Sequence, residues 1–297
     1  MTNLKMIAVG EFLWDYLPNG KKIGGAAANF CYHAKSAGAQ AILVSAVGDD
    51  DNGKELLNQL AMLAIPHSVQ ISANYATGKV MVELDADGKP TYNILNPVAW
   101  DDIQLTTSLE HLLQDDIVAI YFGSLIQRNS NNHQLLKRIV AELPEKVKII
   151  VDINLRQNHY TNDILRFSIE QSHILKLNDE ELPVIAQLLN IKNDPKVLFD
   201  YLNQHYQLEL LIYTCGSEGS YLINQTEQDY CPAEKITPID TVGAGDSFMA
   251  TASTLYLKGS SLKEINIKAN HVAAYVCTQS GPMPKMPDEL IKKFIAK

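Results

Sequence analysis

Six short, almost unbroken apolar runs punctuate the chain: "MIAVG" (6 to 10), "AILVSAVG" (41 to 48), "IVAIYFG" (117 to 123), "VKIIVDIN" (147 to 154), "HILKLN" (173 to 178) and "LELLIYTCG" (208 to 216). A strand buried on both faces shows such continuous hydrophobicity, whereas a half-exposed strand alternates. Between most of these runs lie stretches with helical spacing, among them "NGKELLNQLAMLA" and "NNHQLLKRIVAEL". That alternation predicts an α/β protein with a parallel sheet and helices on both sides. One segment breaks the pattern. "YATGKVMVELDADGKPTYNI" (75 to 94) alternates apolar and polar residues around Asp87-Gly88, which predicts an antiparallel hairpin. Together with the polar "EFLWDYLPNGKKIGG" near the N-terminus, it suggests a small β lid projecting from the main sheet. The chain is thus expected to divide into a main α/β domain (1–10, 25–73 and 99–297) and a lid (11–24 and 74–98), with the region after 240 mainly helical.

Composition narrows the partners. Of 297 residues, 46% are hydrophobic and 20% charged, enough apolar material for one large domain and a smaller one. A formal net charge of −9 leaves no basic surplus to neutralise phosphates, which argues against nucleic acid or an anionic membrane and for a small-molecule substrate. No apolar stretch approaches the roughly 18 residues of a spanning helix, and "MTNLKMIAVGEF" runs straight into a strand-like segment, so the cytosol is the expected compartment. Cys31, Cys215, Cys231 and Cys277 are scattered without a CxxC pair, which suggests neither a zinc site nor a disulfide framework.

Open parallel sheets bind ligands beyond the carboxyl ends of their strands. Here those ends carry Gly10-Glu11, then Asp152 with Asn154 and Arg156, Asn178 with Glu181, and Thr214 with Gly216 and Gly219. Each alone also reads as a helix cap or a turn. "IDTVGAGDSFMA" (239 to 250) is more pointed. Gly243-Ala244-Gly245 can gather backbone N–H groups at the start of a helix beginning near Asp246, making an anion pocket. A carboxylate beside that anion repels it unless it has work to do, such as accepting the proton of a hydroxyl that attacks a bound phosphoryl group. The plain alternative is an Asp N-cap after a glycine turn.

"DTVGAGDSF" (240 to 248) resembles the C-terminal signature of the PfkB, or ribokinase-like, carbohydrate kinases, and "GGAAANF" (24 to 30) resembles their N-terminal Gly-Gly-x-x-x-Asn signature. "DINLR" (152 to 156), "NDEE" (178 to 181) and "TCGSEG" (214 to 219) are similar to the family's D-x-N-x-R, N-x-x-E and T-x-G-x-x-G elements, in the family's order. The resemblance spans essentially the whole chain. It implies a ribokinase-like three-layer α/β/α sandwich with a mostly parallel central sheet and a small β-sheet lid. It further implies an ATP-dependent kinase, with Asp246 as catalytic base and Gly243, Ala244 and Gly245 as the anion hole. Asn178 and Glu181 match the element that holds Mg2+, mainly through waters; Glu181 reads equally as a first-turn helix acid. Thr214, Gly216 and Gly219 match the turn along the nucleotide, where small residues permit close approach. Arg156 stands where a phosphate is met, with an ion pair to Asp152 as its structural alternative, and Asn270 falls near the expected adenine pocket.

On the acceptor side, Asp15, Gly24, Gly25 and Asn29 match the family's sugar-binding positions, a carboxylate and an amide suiting adjacent hydroxyls. Trp14 and Tyr16 are expected to pack the lid. "YNILNPVAWDDI", "YFGSLIQR" and "QSGPMPKMP" look most like the fructokinase branch, and the acidic residue that ribokinases carry near Ser124 and Leu125 is absent. The resemblance therefore favours D-fructose, phosphorylated at O6, over ribose, tagatose or 2-keto-3-deoxygluconate. In many relatives a K+ ion sits beside the anion hole near Asp240; here Lys285 falls where a serine is common, so its ammonium either replaces K+ or points to solvent. The chain has neither a G-x-G-x-x-G turn after its first strand nor a G-x-x-x-x-G-K-[ST] string, which removes a dehydrogenase and a P-loop kinase. A non-catalytic sugar or nucleotide sensor on the same fold remains as the rival. The lid's apolar hairpin face suggests a homodimer.

Overall fold

A computed structural model describes residues 4–17, 20–84 and 90–295. The chain opens with β1 (Lys5–Val9), a hairpin of β2 (Leu13–Leu17) and β3 (Gly20–Gly24), helix α1 (Ala26–Ser36), β4 (Gln40–Gly48), α2 (Asp51–Met62) and β5 (His67–Ser72). A second hairpin, β6 (Gly78–Leu84) and β7 (Pro90–Ile94), precedes α3 (Thr107–Gln114), β8 (Ala119–Gly123), α4 (Ser130–Glu142), β9 (Lys148–Asp152), α5 (Asn162–Gln171) and β10 (Ile174–Asn178). Then come α6 (Leu182–Leu189), α7 (Pro195–His205), β11 (Leu210–Thr214), β12 (Ser220–Ile223), β13 (Gln228–Cys231), α8 (Ala244–Leu257), α9 (Leu262–Cys277) and α10 (Asp288–Ile295).

The large sheet runs β13-β12-β11-β10-β9-β8-β1-β4-β5. Its strands from β11 to β5 are parallel, while β12 and β13 add an antiparallel edge. Along β1, Ile7 and Val9 face one apolar cluster and Met6 and Ala8 face the other. The first cluster takes residues from α3 to α7 (Leu109, Leu136, Leu165, Ile185, Leu198), the second from α1, α2, α8 and α9 (Phe30, Leu56, Met249, Ile265). This is the predicted three-layer α/β/α arrangement, and it explains why these strands show no alternation. At roughly 25 cal/mol per Å2 of apolar surface removed from water, the two-sided burial is the main stabilising contribution to the fold.

The small sheet runs β3-β2-β6-β7, with β2 and β6 parallel and the outer pairs antiparallel. The expected hairpin of 75 to 94 is present as β6 and β7, although its turn at Asp87-Gly88 lies outside the described residues. The sequence pattern leaves three strands unmarked: β5 and β13, the two edges of the large sheet, and β12 beside β13. β5 ("HSVQIS") and β13 are only partly buried and lack the apolar continuity of the interior, while β12 is largely buried but only 4 residues long. Trp14 and Tyr16 pack towards α2: the Trp14 indole N–H donates to the Asn52 carbonyl (3.1 Å) and the Tyr16 hydroxyl to Asn52 Oδ1 (3.0 Å).

A buried clamp ties the exit of the small sheet to the end of β8. The Arg128 guanidinium donates through Nε and Nη2 to the two carboxylate oxygens of Asp101, each at 2.7 Å, and through Nη2 to the Leu95 carbonyl at 2.6 Å. It also stacks 4.0 Å from the Trp100 ring, while Asp101 accepts the Val98 N–H. The side chains of Arg128 and Asp101 are 2% and 1% exposed. Removing one partner of such a pair strands a buried charge, so Asp101→Ala is expected to destabilise the protein by about 3–5 kcal/mol. Urea unfolding checks this, and a loss under about 1 kcal/mol contradicts the clamp.

Candidate active site

The carboxyl ends of β1, β9, β10 and β11 open onto a cavity of about 740 Å3, whose far wall is the N-terminus of α8. Two glycines shape the entry from the small sheet. A Cβ on Gly24 would lie 2.2 Å from Asp15 Oδ2, so a side chain there would displace that carboxylate. Gly25 has φ +109° and caps α1, and a Cβ there would lie 2.2 Å from the Glu11 carbonyl oxygen. One turn into α1, the Asn29 side-chain amide donates to Asp246 Oδ2 at 2.6 Å.

Helix α8 begins at Ala244, two residues before the predicted start, and its cap is Gly243 in the left-handed conformation (φ +80°). A Cβ on Gly243 would lie 2.4 Å from that of Pro282. Asp246 is therefore the third helical residue and not an N-cap, which corrects the plain alternative reading of the motif. Its carboxylate faces Asn29 and the cavity. Gly243 and Gly245 line the cavity, at a helix end whose first-turn amides and dipole favour anions. Ala244 does not line it, and its N–H donates to the Thr241 carbonyl (3.3 Å).

The electrostatics are set by a buried ion pair. Lys176 on β10 lies beside Asp152 on β9, and its ammonium donates to both carboxylate oxygens at 2.9 and 3.0 Å. Burial works against the Lys176 charge, but Asp152, Glu181 and Asp246 more than offset it and hold its pKa above the usual lysine value. Burial pushes Asp246 up to about 6; the Asp152 charge adds to the rise, while the Asn29 bond, Lys176 and Arg156 oppose it. Asp15 is likewise raised to about 6 by burial and then by the charges of Asp246 and Asp240. Glu11, at the end of β1 and 3% exposed, is raised to about 7, chiefly by burial.

Most residues singled out from the sequence converge here: Asp15, Gly25, Asn29, Arg156, Asn178, Glu181, Thr214, Gly243, Gly245 and Asp246 all line the cavity. Glu181 accepts from the Leu155 and Asn178 backbone N–H groups, both at 2.9 Å, and makes no side-chain cap bond to α6. The alternative reading of Arg156 as a partner of Asp152 is corrected: Asp152 is paired with Lys176, and Arg156 is exposed at the cavity rim. Gly216 and Gly219 stand outside the cavity lining. Gly216 has φ +52° in a turn, and Gly219 packs so closely on the Cys231 carbonyl that a Cβ would lie 2.1 Å from its oxygen. Asn270 is also apart, its buried amide donating to Ser220 Oγ (2.7 Å) and the Asn266 carbonyl (3.0 Å), which stitches α9 to β12.

The ammonium near Asp240 does not come from Lys285, which is exposed. It comes from Lys22 on β3, whose Nζ donates to Asp240 Oδ2 (3.1 Å) and Ser280 Oγ (2.7 Å). Asp240 also accepts from the Val242 and Gly281 backbone N–H groups at 3.0 Å. The sequence places Glu11 at a ligand-facing strand end without marking a role for it, and does not mark Lys22 or Lys176 as site residues. A lone lysine inside the apolar run "HILKLN" and an acid directly after the first strand were the available signals.

A helix end whose amides favour anions, a carboxylate in its first turn, and a second carboxylate and an amide thus face one cavity on a ribokinase-like fold. The model of the pfkB family carbohydrate kinases matches residues 19–289, and the chain belongs to that family. An uncharacterized sugar kinase of Pyrococcus horikoshii is 28% identical over 92% of this chain and 86% of its own. Its crystal structure superposes with a TM-score of 0.82, covering 97% of each chain. The fructokinase of Salmonella typhimurium is 23% identical over 96% of this chain and 97% of its own. The Xylella fastidiosa fructokinase with bound ATP superposes with a TM-score of 0.84 at 19% identity, covering 98% of each chain.

Raised carboxyl pKa values have a stability consequence. A folded-state carboxyl titrating near 6 keeps a proton that the unfolded chain loses near 4, so its contribution to stability is full below about pH 4 and is lost as pH rises through about 6. His33, buried and lowered to about 4, pulls the total the other way, so the informative readout is a difference between variants. Asp246→Asn is expected to gain stability relative to the unsubstituted protein between pH 4.5 and 7.5, by about 1–2 kcal/mol. Urea midpoints at the two pH values check this, and a constant or shrinking difference contradicts it.

Proposed function

We propose that the protein is an ATP-dependent sugar kinase whose acceptor is D-fructose, phosphorylated at O6, with Asp246 as general base. The observation that carries this reading is the placement of the Asp246 carboxylate: in the first turn of α8, at the wall of the cavity, held by Asn29 and raised to about 6. A base of that pKa is ionised at neutral pH and still takes up a proton readily. The acceptor lies between Asp15, Asn29 and Gly25, and the nucleotide runs along the strand ends from Asn178 to Thr214. As the sugar oxygen attacks the γ-phosphorus, its proton passes to Asp246 and the bond to the ADP oxygen breaks, with the electron pair leaving on ADP. The α8 N-terminus at Gly243 and Gly245 receives the transferring group. The small sheet serves as the lid, shedding water that would otherwise compete as acceptor. Met81, exposed on β6, belongs to the lid face through which two chains would pair as a cytosolic homodimer.

No cluster of three or more His, Cys, Asp or Glu side chains suited to holding a metal occurs among the described residues. Glu181 and Asn178 offer one carboxylate and one amide, a set that fits Mg2+ brought by the nucleotide and contacted through its waters. Bound there, Mg2+ would neutralise phosphate charge. A K+ ion fits less well, because Asp240 already accepts from Lys22, Val242 and Gly281. Fructose is favoured by the motif likeness to fructokinases and by Ser124 and Leu125 standing where ribokinases carry an acid; Leu125 lines the cavity and Ser124 donates to the Ile153 carbonyl.

ATP consumption with Mg2+ against fructose, ribose, tagatose, 2-keto-3-deoxygluconate, glucose and adenosine tests the reading, with the product position read by NMR. Fructose 6-phosphate is expected; preference for another acceptor refutes the substrate, and silence across the panel refutes the kinase. Asp246→Asn is expected to bind sugar and nucleotide almost normally while turning over at least ~100-fold more slowly, and near-normal turnover removes Asp246 as the base. Replacing Na+ by K+ is expected to leave the rate within about twofold, since Lys22 supplies the charge at Asp240; strong K+ activation would contradict that role.

A further inference from the structure

Glu11 follows β1 and sits where the chain leaves the large sheet for the small one. The sheet grows from β1 in both directions, first to β4 and β5 and later to β8 and beyond, so strand order reverses between β1 and β8. Open α/β sheets place their ligands in the crevice outside such a reversal. Glu11 lines the cavity there with Asp15, Asn29 and Asp246. Its Oε1 is buried and has no hydrogen-bond partner among the described residues. Neither nearby cation bonds it: Arg128 spends Nε and Nη2 on Asp101 and Leu95 and its buried Nη1 has no partner among the described residues, while Arg156 is exposed at the rim. A buried carboxyl oxygen left unmatched carries the full penalty of its desolvation, which a ligand hydroxyl removes.

We propose that Glu11 is an acceptor-binding residue, its side-chain carboxyl hydrogen-bonding a hydroxyl of the sugar whose reacting hydroxyl faces Asp246. This rests on the kinase reading above. The groups that face Glu11 electrostatically are Asp246 on α8, Arg128 after β8, Arg156 after β9 and the buried Tyr121 on β8. Burial foremost, and Asp246 after it, hold Glu11 near 7 against the opposing effects of its own backbone N–H, Arg128 and Arg156. Below that pH the neutral carboxyl both donates and accepts, as a sugar hydroxyl does. Above it, Glu11 loses its donor and adds a second negative charge beside Asp246. Acceptor KM therefore rises with pH, while the KM for ATP, bound further along the strand ends, does not follow.

Initial rates against fructose at saturating ATP, for the unsubstituted protein, Glu11→Gln and Glu11→Met at pH 6.0, 7.0 and 8.5, test this. Glu11→Met is expected to raise acceptor KM at pH 6.0 by at least ~10-fold with a smaller change in kcat and none in the KM for ATP. Glu11→Gln, which keeps a donor and an acceptor, is expected to stay within about threefold at pH 6.0 and to abolish the alkaline rise in acceptor KM. An unchanged acceptor KM in Glu11→Met overturns the proposal. Should that variant fail to fold, a Glu11→Gln profile that rises in parallel with the unsubstituted protein overturns it instead. If the unsubstituted protein turns over no sugar, the kinase reading falls and Glu11 is judged by calorimetry with fructose. Weakening by at least ~10-fold in Glu11→Met upholds the residue's role, and unchanged or undetectable fructose binding overturns it.

Discussion

Like charges crowd the cavity, and the buried pair of Lys176 with Asp152 is what makes that crowding tolerable. Glu11, Asp15, Asp152 and Asp246 all line its wall, and on our proposal the ligand is itself a polyanion. Against them stand one fully buried ammonium, the N-terminus of α8 and two cations nearer the rim, Lys22 and Arg156. Lys176 cannot be replaced by a neutral side chain without stranding Asp152 at 1% exposure. The raised pKa values of Glu11, Asp15 and Asp246 express the same balance from the acidic side.

The fold produces this arrangement because its parallel strands end together. β9 and β10 are neighbours in register, so Asp152 and Lys176 meet without any loop having to bring them in. Helix α8 begins at the same end of the sheet, and the left-handed Gly243 lets the chain turn tightly beneath Pro282 before the helix starts. The small sheet is joined to that end through the Gly10-to-Phe12 connection, through Gly25 into α1 and through the Arg128–Asp101 clamp. Lys22 adds a further tie, from β3 across to Asp240 and Ser280.

How much of this could be read from the chain differs by kind of residue. The interior strands β1, β4 and β8 to β11 were legible because two-sided burial writes itself as an apolar run, and the β6–β7 hairpin because one-sided burial writes itself as alternation. The edge strands β5 and β13 carry neither mark, and β12, at 4 residues, is too short to show one. Within the site, Asp246, Asn29, Asp15 and Glu181 announced themselves through short glycine-rich or acidic motifs whose spacing is local. The roles of Glu11, Lys22 and Lys176 depend on neighbours distant in sequence. Lys22 meets Asp240 across 218 positions and nothing near Asp240 signals it, whereas Lys285, whose ammonium the sequence left either at the K+ position or in solvent, is exposed. Asn270 shows the converse: a polar residue on a late helix proved to satisfy Ser220 and Asn266.

The central claim is geometric, that one carboxylate at the start of α8 meets the reacting hydroxyl while the helix end meets the phosphoryl group. A crystal structure with fructose and a non-hydrolysable ATP analogue tests it most directly. The account predicts the fructose O6 about 2.6–3.2 Å from an Asp246 carboxylate oxygen, with the terminal phosphate against the Gly243 and Gly245 backbone. A sugar bound elsewhere, or a terminal phosphate remote from the N-terminus of α8, would contradict it.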